Sequence, residues 1–468
     1  MLPSRFLAGA ALALLAFAGC AVGPDYQRPK VEAPAFKETG QWKPAEPAEQ
    51  LPRGKWWEAY GDPVLNGLED RIEVSSNTLQ IAEAKYRQAQ AAATIARAAL
   101  FPSVSADGSA SRTRTPARGA SPSSVGNAFS AGAAASWEFD LWGRVRRSAE
   151  AGRATAGASA ADLESVRLSL HALLAQTYFS LGVADSEQQL YQRIVADYER
   201  SLKMTQNRYA QGVDTRADVA AAETQLKTAQ AQAIDLSLQR AQLEHAIAVL
   251  LGQPPAAFSL APADLTVAPP APPALIPSEQ LERRPDIAAA ERRLAAACAQ
   301  IGVAKAGYFP VLSLSGSAGY QGPRYQSLFN APNEIWSLGA GAVMPLFEAG
   351  RVRAQVAQAR AAYDESLATY RQTVLASFQE VEDNLAAAGI LTQEAAIQAE
   401  AVAAARQAAT ITLNQYKAGT VSYLNVVTAQ SAQLNAERTA VELLGRRLNA
   451  SVTLLKAAGG DWRRPGEP

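Results

Sequence analysis

Alternating apolar and small residues mark four short segments of the chain. In the second segment, the odd positions from Phe129 to Phe139 are aromatic or alanine, and the even positions are mostly serine, glycine or alanine. A period of two places successive side chains on opposite faces of a β-strand. The predicted strands are residues 101–112, 127–139, 310–320 and 335–346.

The third segment separates its two faces most clearly. Leu312 and Leu314 alternate with Ser313, Ser315 and Ser317. Runs of about ten residues with this period, and with aromatic residues towards their ends, are typical of strands in a transmembrane barrel, apolar towards lipid and small or polar towards a lumen. We therefore expect the two leucines to face lipid and the three serines to line a lumen.

Four strands are too few to close a barrel, because the smallest known barrels have about eight. Open strand edges in lipid would leave backbone groups without hydrogen bonds, so several copies must contribute. Two copies would give eight strands with a filled interior, and three would give twelve with room for a pore. The alternative is a pair of hairpins packed on a soluble core. If the four strands belong to a transmembrane barrel, the fold class is that of an α+β membrane protein.

Two long stretches of the chain contain no proline, which breaks helix interiors. One lies between Pro122 and Pro254, and the other between Pro345 and Pro465. Each allows a helix about 100 Å long at about 1.5 Å per residue. Apolar residues recur about every 3.67 positions in the second helix, which favours nearly straight helices over a two-stranded zipper. The predicted helices are 144–210 and 351–417, with return helices at 214–252 and 420–457.

The chain repeats itself after about 207 residues. Gly108 and Ser109 correspond to Gly316 and Ser317, and the motif at 143–146 recurs at 350–353. In each half a helical segment, 64–99 or 286–306, precedes the strands. The predicted organisation is a signal peptide at 1–19, an N-terminal segment at 20–62, a first repeat at 63–252, a linker at 253–285, a second repeat at 286–459 and a tail at 460–468.

The N-terminus resembles the signal of a bacterial lipoprotein. Arg5 precedes an apolar run at 6–17 that is too short to span a bilayer, and Cys20 follows two small residues. Cleavage before Cys20 and acylation of this residue are expected, although Phe17 stands where leucine is usual. The alternative is an ordinary secretory signal. Ala21 in place of aspartate favours export to the outer membrane in the lipoproteins that this signal resembles.

Composition argues against several other classes of protein. The 44 basic and 44 acidic residues give no net charge, whereas a nucleic-acid binder normally has a basic excess. The presence of only two cysteines and two histidines argues against a structural zinc site, and no metal or cofactor is expected. The sequence contains no nucleotide-binding or hydrolase motif, so no enzymatic activity is predicted.

Five stretches of the chain resemble the TolC-like outer membrane factors, especially the lipoprotein (NodT-type) branch of RND-type efflux systems. The resemblance implies a homotrimer in the outer membrane, with a 12-stranded transmembrane β-barrel continued by a periplasmic α-helical barrel. It also implies a periplasmic adaptor protein and an inner-membrane pump, and a role as exit duct. The stretches are CAVGPDYQRP at 20–29, WWEAYGDPVLNGL at 56–68, the segment 284–319, PLFEAGRVRA at 345–354 and VLASFQEVEDNLA at 374–386.

The resemblance also implies a gate at the periplasmic end, formed by a ring of leucine and a ring of aspartate. The matching residues are Leu424 and Thr428, one helical turn apart, so the leucine is present and the aspartate is not. Asp214 and Asp218 on the repeat-related hairpin are candidates to replace it. Ordinary helix packing is the alternative role of Leu424. The hairpin tips expected to contact the adaptor or pump are Tyr209, Gly212, Tyr416 and Gly419.

The main alternative function is a trimeric coiled-coil lipoprotein with a structural or adhesive role and no channel. Such a stalk would favour a repeat of about 3.5 residues with a dry leucine or isoleucine seam. Alanine-rich helices and barrel-like strands favour the channel.

Overall fold

The computed structural model describes residues 21–29, 54–117, 123–270 and 284–460. Cys20, the predicted signal peptide and most of the C-terminal tail lie outside the described residues. The described chain forms two compact units. The sheet unit contains residues 21–29, 85–117, 123–160 and 289–372, and the helical unit contains 54–84, 161–270, 284–288 and 373–460.

The sheet unit contains four antiparallel strands, β1 Ser103–Thr115, β2 Ser124–Phe139, β3 Val311–Gly322 and β4 Glu334–Val343. They are paired in the order β1-β2-β3-β4. Strand β1 begins later than predicted because the backbone at Phe101 still closes the turn of the preceding helix. Strand β4 ends before Pro345, which has no backbone N–H to donate to a ladder.

Seven α-helices accompany the sheet in the described part of the chain. They are α1 Pro63–Ser75, α2 Asn77–Ala98, α3 Arg144–Ala210, α4 Arg216–Leu250, α5 Pro285–Ala306, α6 Arg351–Lys417 and α7 Tyr423–Ala457. The two longest, α3 and α6, begin and end at the predicted residues, within the proline-free stretches. The return helices α4 and α7 begin two or three residues later than predicted, because Thr215 and Ser422 remain extended as N-cap residues.

The prediction of one continuous helix at 64–99 is wrong. Ser76 adopts an extended conformation and separates α1 from α2. Gly252, just after α4, has a positive φ of 67° and packs against the carbonyl oxygen of Ser75, where a side chain on Gly252 would overlap that oxygen. The break thus accompanies a contact between residues far apart in sequence.

The first described residues pack along the sheet unit. The Val22 N–H donates to the Trp142 carbonyl at 2.9 Å, and Asp25 pairs with the buried Arg147 at 2.5 Å. Gly23 lies against Gly302 so closely that a Cβ on Gly23 would come within 2.5 Å of the Gly302 Cα atom. The segment directly after Cys20 is therefore held by specific contacts.

The core of the helical unit begins with a short 3-10 helix, Trp56–Tyr60. The Tyr60 ring packs on Phe179 of α3 at 4.8 Å, and its hydroxyl lies 2.6 Å from that of Ser451 on α7. Trp57 stacks on His171 of α3 with ring centroids 4.4 Å apart. These aromatic contacts tie the N-terminal part of the unit to both repeats.

His171 lies between two glutamates of α1. Its Nδ1 is 2.6 Å from the Glu69 carboxylate, and its Nε2 is 2.9 Å from that of Glu73. Burial lowers the pKa of His171, but the hydrogen bonds and charges of Glu69 and Glu73 outweigh it and raise the pKa above its usual value. Burial also raises the pKa of Glu69. Both groups therefore hold protons more tightly in the folded protein than in the unfolded chain.

We predict that this cluster makes the stability of the protein depend on pH. The contribution of His171 is complete below the unfolded histidine pKa of about 6.5 and is lost as pH rises through the raised pKa of folded His171. The contribution of Glu69 is lost at lower pH, as pH rises through its folded pKa of about 7. The unfolding temperature in detergent should fall between pH 6 and pH 8.5, and His171→Asn should flatten this slope. His245→Asn, at the exposed second histidine, is the control and should keep the wild-type slope. An unchanged slope in His171→Asn would contradict the assignment.

Candidate functional site

The strand register gives the sheet two chemically different faces. Ser136 lies opposite both Ser103 and Ser315, whereas its neighbour Trp137 lies opposite Leu314. The serine face includes Ser103, Ser109, Ser130, Ser136, Ser313, Ser315, Ser317 and Ser337. The apolar face includes Val104, Phe129, Trp137, Phe139, Leu312, Leu314, Trp336 and Leu338.

Hydroxyl groups on the serine face pair across neighbouring strands. The Oγ atoms of Ser103 and Ser136 are 2.8 Å apart, and three cross-strand pairs of this kind occur in the described sheet. The other two are Ser109 with Ser130 at 2.9 Å and Ser317 with Ser337 at 2.8 Å. The serine face is therefore polar and carries mostly short side chains. Its hydroxyl groups remain accessible to water because the serine residues are exposed or half-buried.

Aromatic residues lie at both ends of the apolar face. Near the helices, Trp137 packs edge-on against Phe139 at 5.6 Å, and its Nε1 donates to the Leu100 carbonyl at 3.0 Å. At the other end, Phe129 contacts Tyr325 at 6.2 Å. Alanine and glycine dominate between them. An apolar band with aromatic residues at both borders is the pattern of a lipid-facing barrel surface.

The two outer strands of this sheet each have one unpaired edge. Strand β1 pairs only with β2, and β4 pairs only with β3, in the described sheet. Backbone groups along these edges need partners if the apolar face meets lipid. The sheet of one chain is thus an incomplete structure.

The helical unit contains two helix hairpins with glycine at each turn. Gly212 and Gly419 have φ of 74° and 78°, and each donates its N–H to the carbonyl three residues earlier, at Tyr209 or Tyr416. The left-handed conformation ends the long helices as the sequence predicts. The two tyrosines, although equivalent in the repeat, differ: Tyr209 is 44% exposed and Tyr416 is 1% exposed.

Tyr416 joins the two hairpins through a buried cluster. Its hydroxyl donates to the Asp214 carboxylate, and the Thr205 hydroxyl lies 3.2 Å away. The guanidinium of Arg208 sits 4.6 Å above the Tyr416 ring and pairs with Asp214 at 3.2 Å. Burial, together with the bond to Asp214, raises the pKa of Tyr416 to about 12. Tyr423 completes the cluster with an edge-on contact at 5.4 Å.

The two candidate acidic residues are both engaged within the hairpin. Asp214 binds Tyr416 and Arg208, and its side chain is only 8% exposed. Asp218 forms a capping box with Thr215, in which each residue accepts the backbone N–H of the other. In the single chain, therefore, neither carboxylate projects freely.

Leu424 and Thr428 project from α7 on the side away from the core of this chain. Leu424 is 65% exposed, and Thr428 is also exposed, whereas the adjacent Tyr423 and Val426 are buried. The Thr428 hydroxyl donates to the Leu424 carbonyl at 3.0 Å. Ordinary packing within the subunit does not account for this leucine.

Sequence reasoning did not find the cluster around Tyr416. Tyrosine occurs at the same place in both repeats, so the repeat gives no sign that only the second is buried. The available signal was Asp214, which the second repeat replaces with Val421.

The described residues offer little to support other kinds of site. No set of three histidine, cysteine, aspartate or glutamate side chains within the described ranges could hold a metal ion. None of the described helices is apolar over enough of its length to cross a membrane. Cys298 is a buried free thiol.

A sheet with one serine face, one apolar face and two unpaired edges, in a chain with 67-residue helices, defines a subunit of an outer-membrane channel. The family model for outer membrane efflux proteins matches residues 68–253 and 276–460. The chain belongs to this family. It is an outer-membrane efflux channel protein and not an enzyme, as predicted.

Relatives and solved structures agree with this assignment. The chain is 34% identical to the pyoverdine export outer membrane protein OpmQ of Pseudomonas aeruginosa, over 87% of this chain and 88% of that protein. It is 32% identical to the solvent efflux pump outer membrane protein SrpC of Pseudomonas putida, over 96% and 97%. The solved outer-membrane channel OprN superposes with a TM-score of 0.86 at 31% identity, over 95% of this chain and all of OprN. The predicted fold class is confirmed.

We predict that the two faces differ in access to water-soluble reagents. Single cysteines in place of Ser315 or Ser317 should react with a charged thiol reagent in the membrane-inserted protein, because this face lines the pore. A cysteine in place of Leu314 is the matched control on the same strand and should be protected by lipid. The reverse pattern would mean that the serine face meets lipid.

Proposed function

We propose that this protein is the exit duct of a tripartite efflux pump and passively conducts small toxic compounds out of the cell. The observation that carries the proposal is the two-faced sheet with unpaired edges. Neither a soluble enzyme nor an adhesive stalk requires an apolar outer band on the sheet face opposite a hydroxyl-lined face.

Three copies form the functional channel. Three sheets supply twelve strands, which leave a lumen, whereas two sheets supply eight, whose interior side chains fill the barrel. Closure of the barrel also supplies the missing partners of β1 and β4. The homotrimer spans the outer membrane, and its helices extend into the periplasm.

A periplasmic adaptor and an inner-membrane pump, of the RND type, are the other partners. The names of several relatives support a pump assembly, among them SrpC and the toluene efflux pump outer membrane protein TtgI of Pseudomonas putida. The exposed residues of the hairpin tips, 209–212 and 417–419, supply the docking surface, whereas the predicted contact of Tyr416 is wrong because this ring is buried. Tyr209 is suited to such contact because it is exposed on the tip, unlike Tyr416.

Substrate choice belongs to the pump and not to the duct. Relatives at 28–34% identity are named for pyoverdine, for solvents including toluene, and for cations, which differ widely in charge and polarity. The described serine face carries mainly small side chains and hydroxyl groups, which offer little chemistry for discriminating among them. The duct therefore passes what the pump delivers.

The closed end of the duct is a ring of three Leu424 side chains. An exposed leucine near the hairpin turn gains a partner when three copies meet at the axis, and apolar constrictions close pores by dewetting. Thr428 lies one turn further on the same face without charge, so leucine carries most of the closure. Asp214 and Asp218 contribute indirectly, by fixing the first hairpin.

We predict that Leu424→Ala opens the duct. Single-channel conductance of the purified protein in a planar bilayer should rise several-fold, because the constriction becomes wider and easier to wet. Leu424→Met conserves apolar volume and should behave as wild type. Thr428→Asp should shift selectivity towards cations with a smaller effect on conductance.

The same recordings test the function itself. Protein that inserts without any conductance, even as Leu424→Ala, would argue against a channel. If Leu424→Ala matches wild type while Asp214→Ala opens the pore, the constriction belongs to the first-repeat hairpin.

Acylation of Cys20 anchors the chain to the outer membrane in this proposal. Several acyl chains contribute about 0.8 kcal/mol per buried CH₂ group, which suffices for stable binding. Wild-type cells should incorporate labelled fatty acid into the protein, and Cys20→Ser should abolish it. Cys298→Ser is the control, because this thiol is buried, and it should leave labelling intact. Absence of label in the wild type would exclude the anchor.

A further inference from the structure

The sheet contains a template for the contact between neighbouring subunits, because its two hairpins are repeats of one another. Strand β3 corresponds to β1 with a shift of 208 residues, as in Gly108 and Gly316. Strand β4 corresponds to β2 with a shift of 207, as in the Gly143 and Gly350 motifs that follow them. The contact of β2 with β3 inside one chain is therefore equivalent to a contact of β4 with the β1 strand of the next copy.

The register inside the chain supports these shifts. Ser109 pairs with Ser130, and the repeat equivalents Ser317 and Ser337 also pair. Both pairs join their hydroxyl groups, at 2.9 and 2.8 Å. The two hairpins thus have the same register, and the shifts apply to backbone pairing as well as to sequence.

We propose that β4 closes on β1 of the neighbouring subunit in the register that β2 uses with β3, which places Trp336 opposite Arg114 of that subunit. The inference rests on the trimeric barrel proposed above. It follows from the internal pair Phe129 and Gly322, whose repeat equivalents are Trp336 and Arg114. The next internal pair, Ser130 with Gln321, predicts Ser337 opposite Thr113.

We call the junction of β4 with β1 of the neighbouring subunit the seam. The side chains that its two strands bring together are chemically complementary. Trp336 is 70% exposed, and Arg114 and Glu334 are exposed as well, on the apolar face at the end of the sheet away from the helices. In the described part of this chain, none of the three side chains has a hydrogen bond or ion pair. An arginine opposite tryptophan can make a cation–π contact, and Glu334 lies on the diagonal from it, within reach of long side chains.

The seam differs from the internal junction in a way that suits a contact between chains. Inside the chain, Phe129 faces Gly322 and is covered by Tyr325 of the following loop. At the seam, the glycine is replaced by Arg114, so the charge and the aromatic ring come from different subunits. The contact therefore forms only when the barrel closes.

Cysteine pairs on the serine face test the register, in a Cys298→Ser background. Ser337→Cys is combined with Thr113→Cys, Ser111→Cys or Ser109→Cys, which all point to the pore. Mild oxidation should link subunits most completely with position 113 and least with position 109, which lies about 13 Å further along the strand.

The outcome of this test is distinct from that of the proposed function. If native mass spectrometry shows trimers but cross-linking is best at position 109 or 111, or occurs at none of the three positions, the proposed register is wrong. The channel function is not affected by that result. Absence of any trimer would overturn the channel itself.

Charge reversal tests the side-chain contact. Arg114→Glu should lower the temperature at which trimers dissociate in detergent by several degrees, and adding Glu334→Arg should restore much of the loss. Arg112→Glu is the control, because Arg112 lies opposite Leu338 in this register and should not be rescued by Glu334→Arg. Rescue of Arg112→Glu instead would contradict the register.

A lipid role for Arg114 is the competing outcome. If Arg114→Glu leaves trimer stability unchanged and reduces the phosphorylated glycolipid that purifies with the protein, the arginine binds outer-leaflet phosphate and the seam contact is wrong.

Discussion

Unpaired backbone groups at the two edges of the sheet are the constraint on which the rest of this structure depends. In water, the edges of β1 and β4 could bind solvent, but the apolar face beside them places these edges in lipid. Each unsatisfied group there costs several kcal/mol. A single chain has no way to meet this cost, so assembly is a requirement of the strand pattern and not an addition to it.

Internal repetition supplies a simple way to meet the requirement. Two equivalent hairpins in one chain already contain the kind of junction that must be made between chains. The repeats have nevertheless diverged where their environments differ. Tyr416 is buried between hairpins and binds Asp214, whereas Tyr209 remains exposed on its tip. One duplicated residue thus stabilises the helical unit in one repeat and is free for contact in the other.

Features set by local sequence were predictable, and features set by distant contacts were not. The ends of α3 and α6 follow from proline-free stretches and from Gly212 and Gly419. The strand faces follow from alternation, and Pro345 could have given the end of β4. The break at Ser76 could not be foreseen, because it accompanies the contact of Gly252 with Ser75. The Tyr416 cluster likewise depends on which of two similar hairpins encloses the ring.

The central claim is that one chain provides one third of a closed barrel. Native mass spectrometry of the purified protein in mild detergent tests it most directly, since the number of chains per particle decides how many strands are available. The account predicts particles of three chains and twelve strands. A stable monomer or dimer in the same detergent would contradict it, provided that cysteines on the serine face still react with the water-soluble thiol reagent.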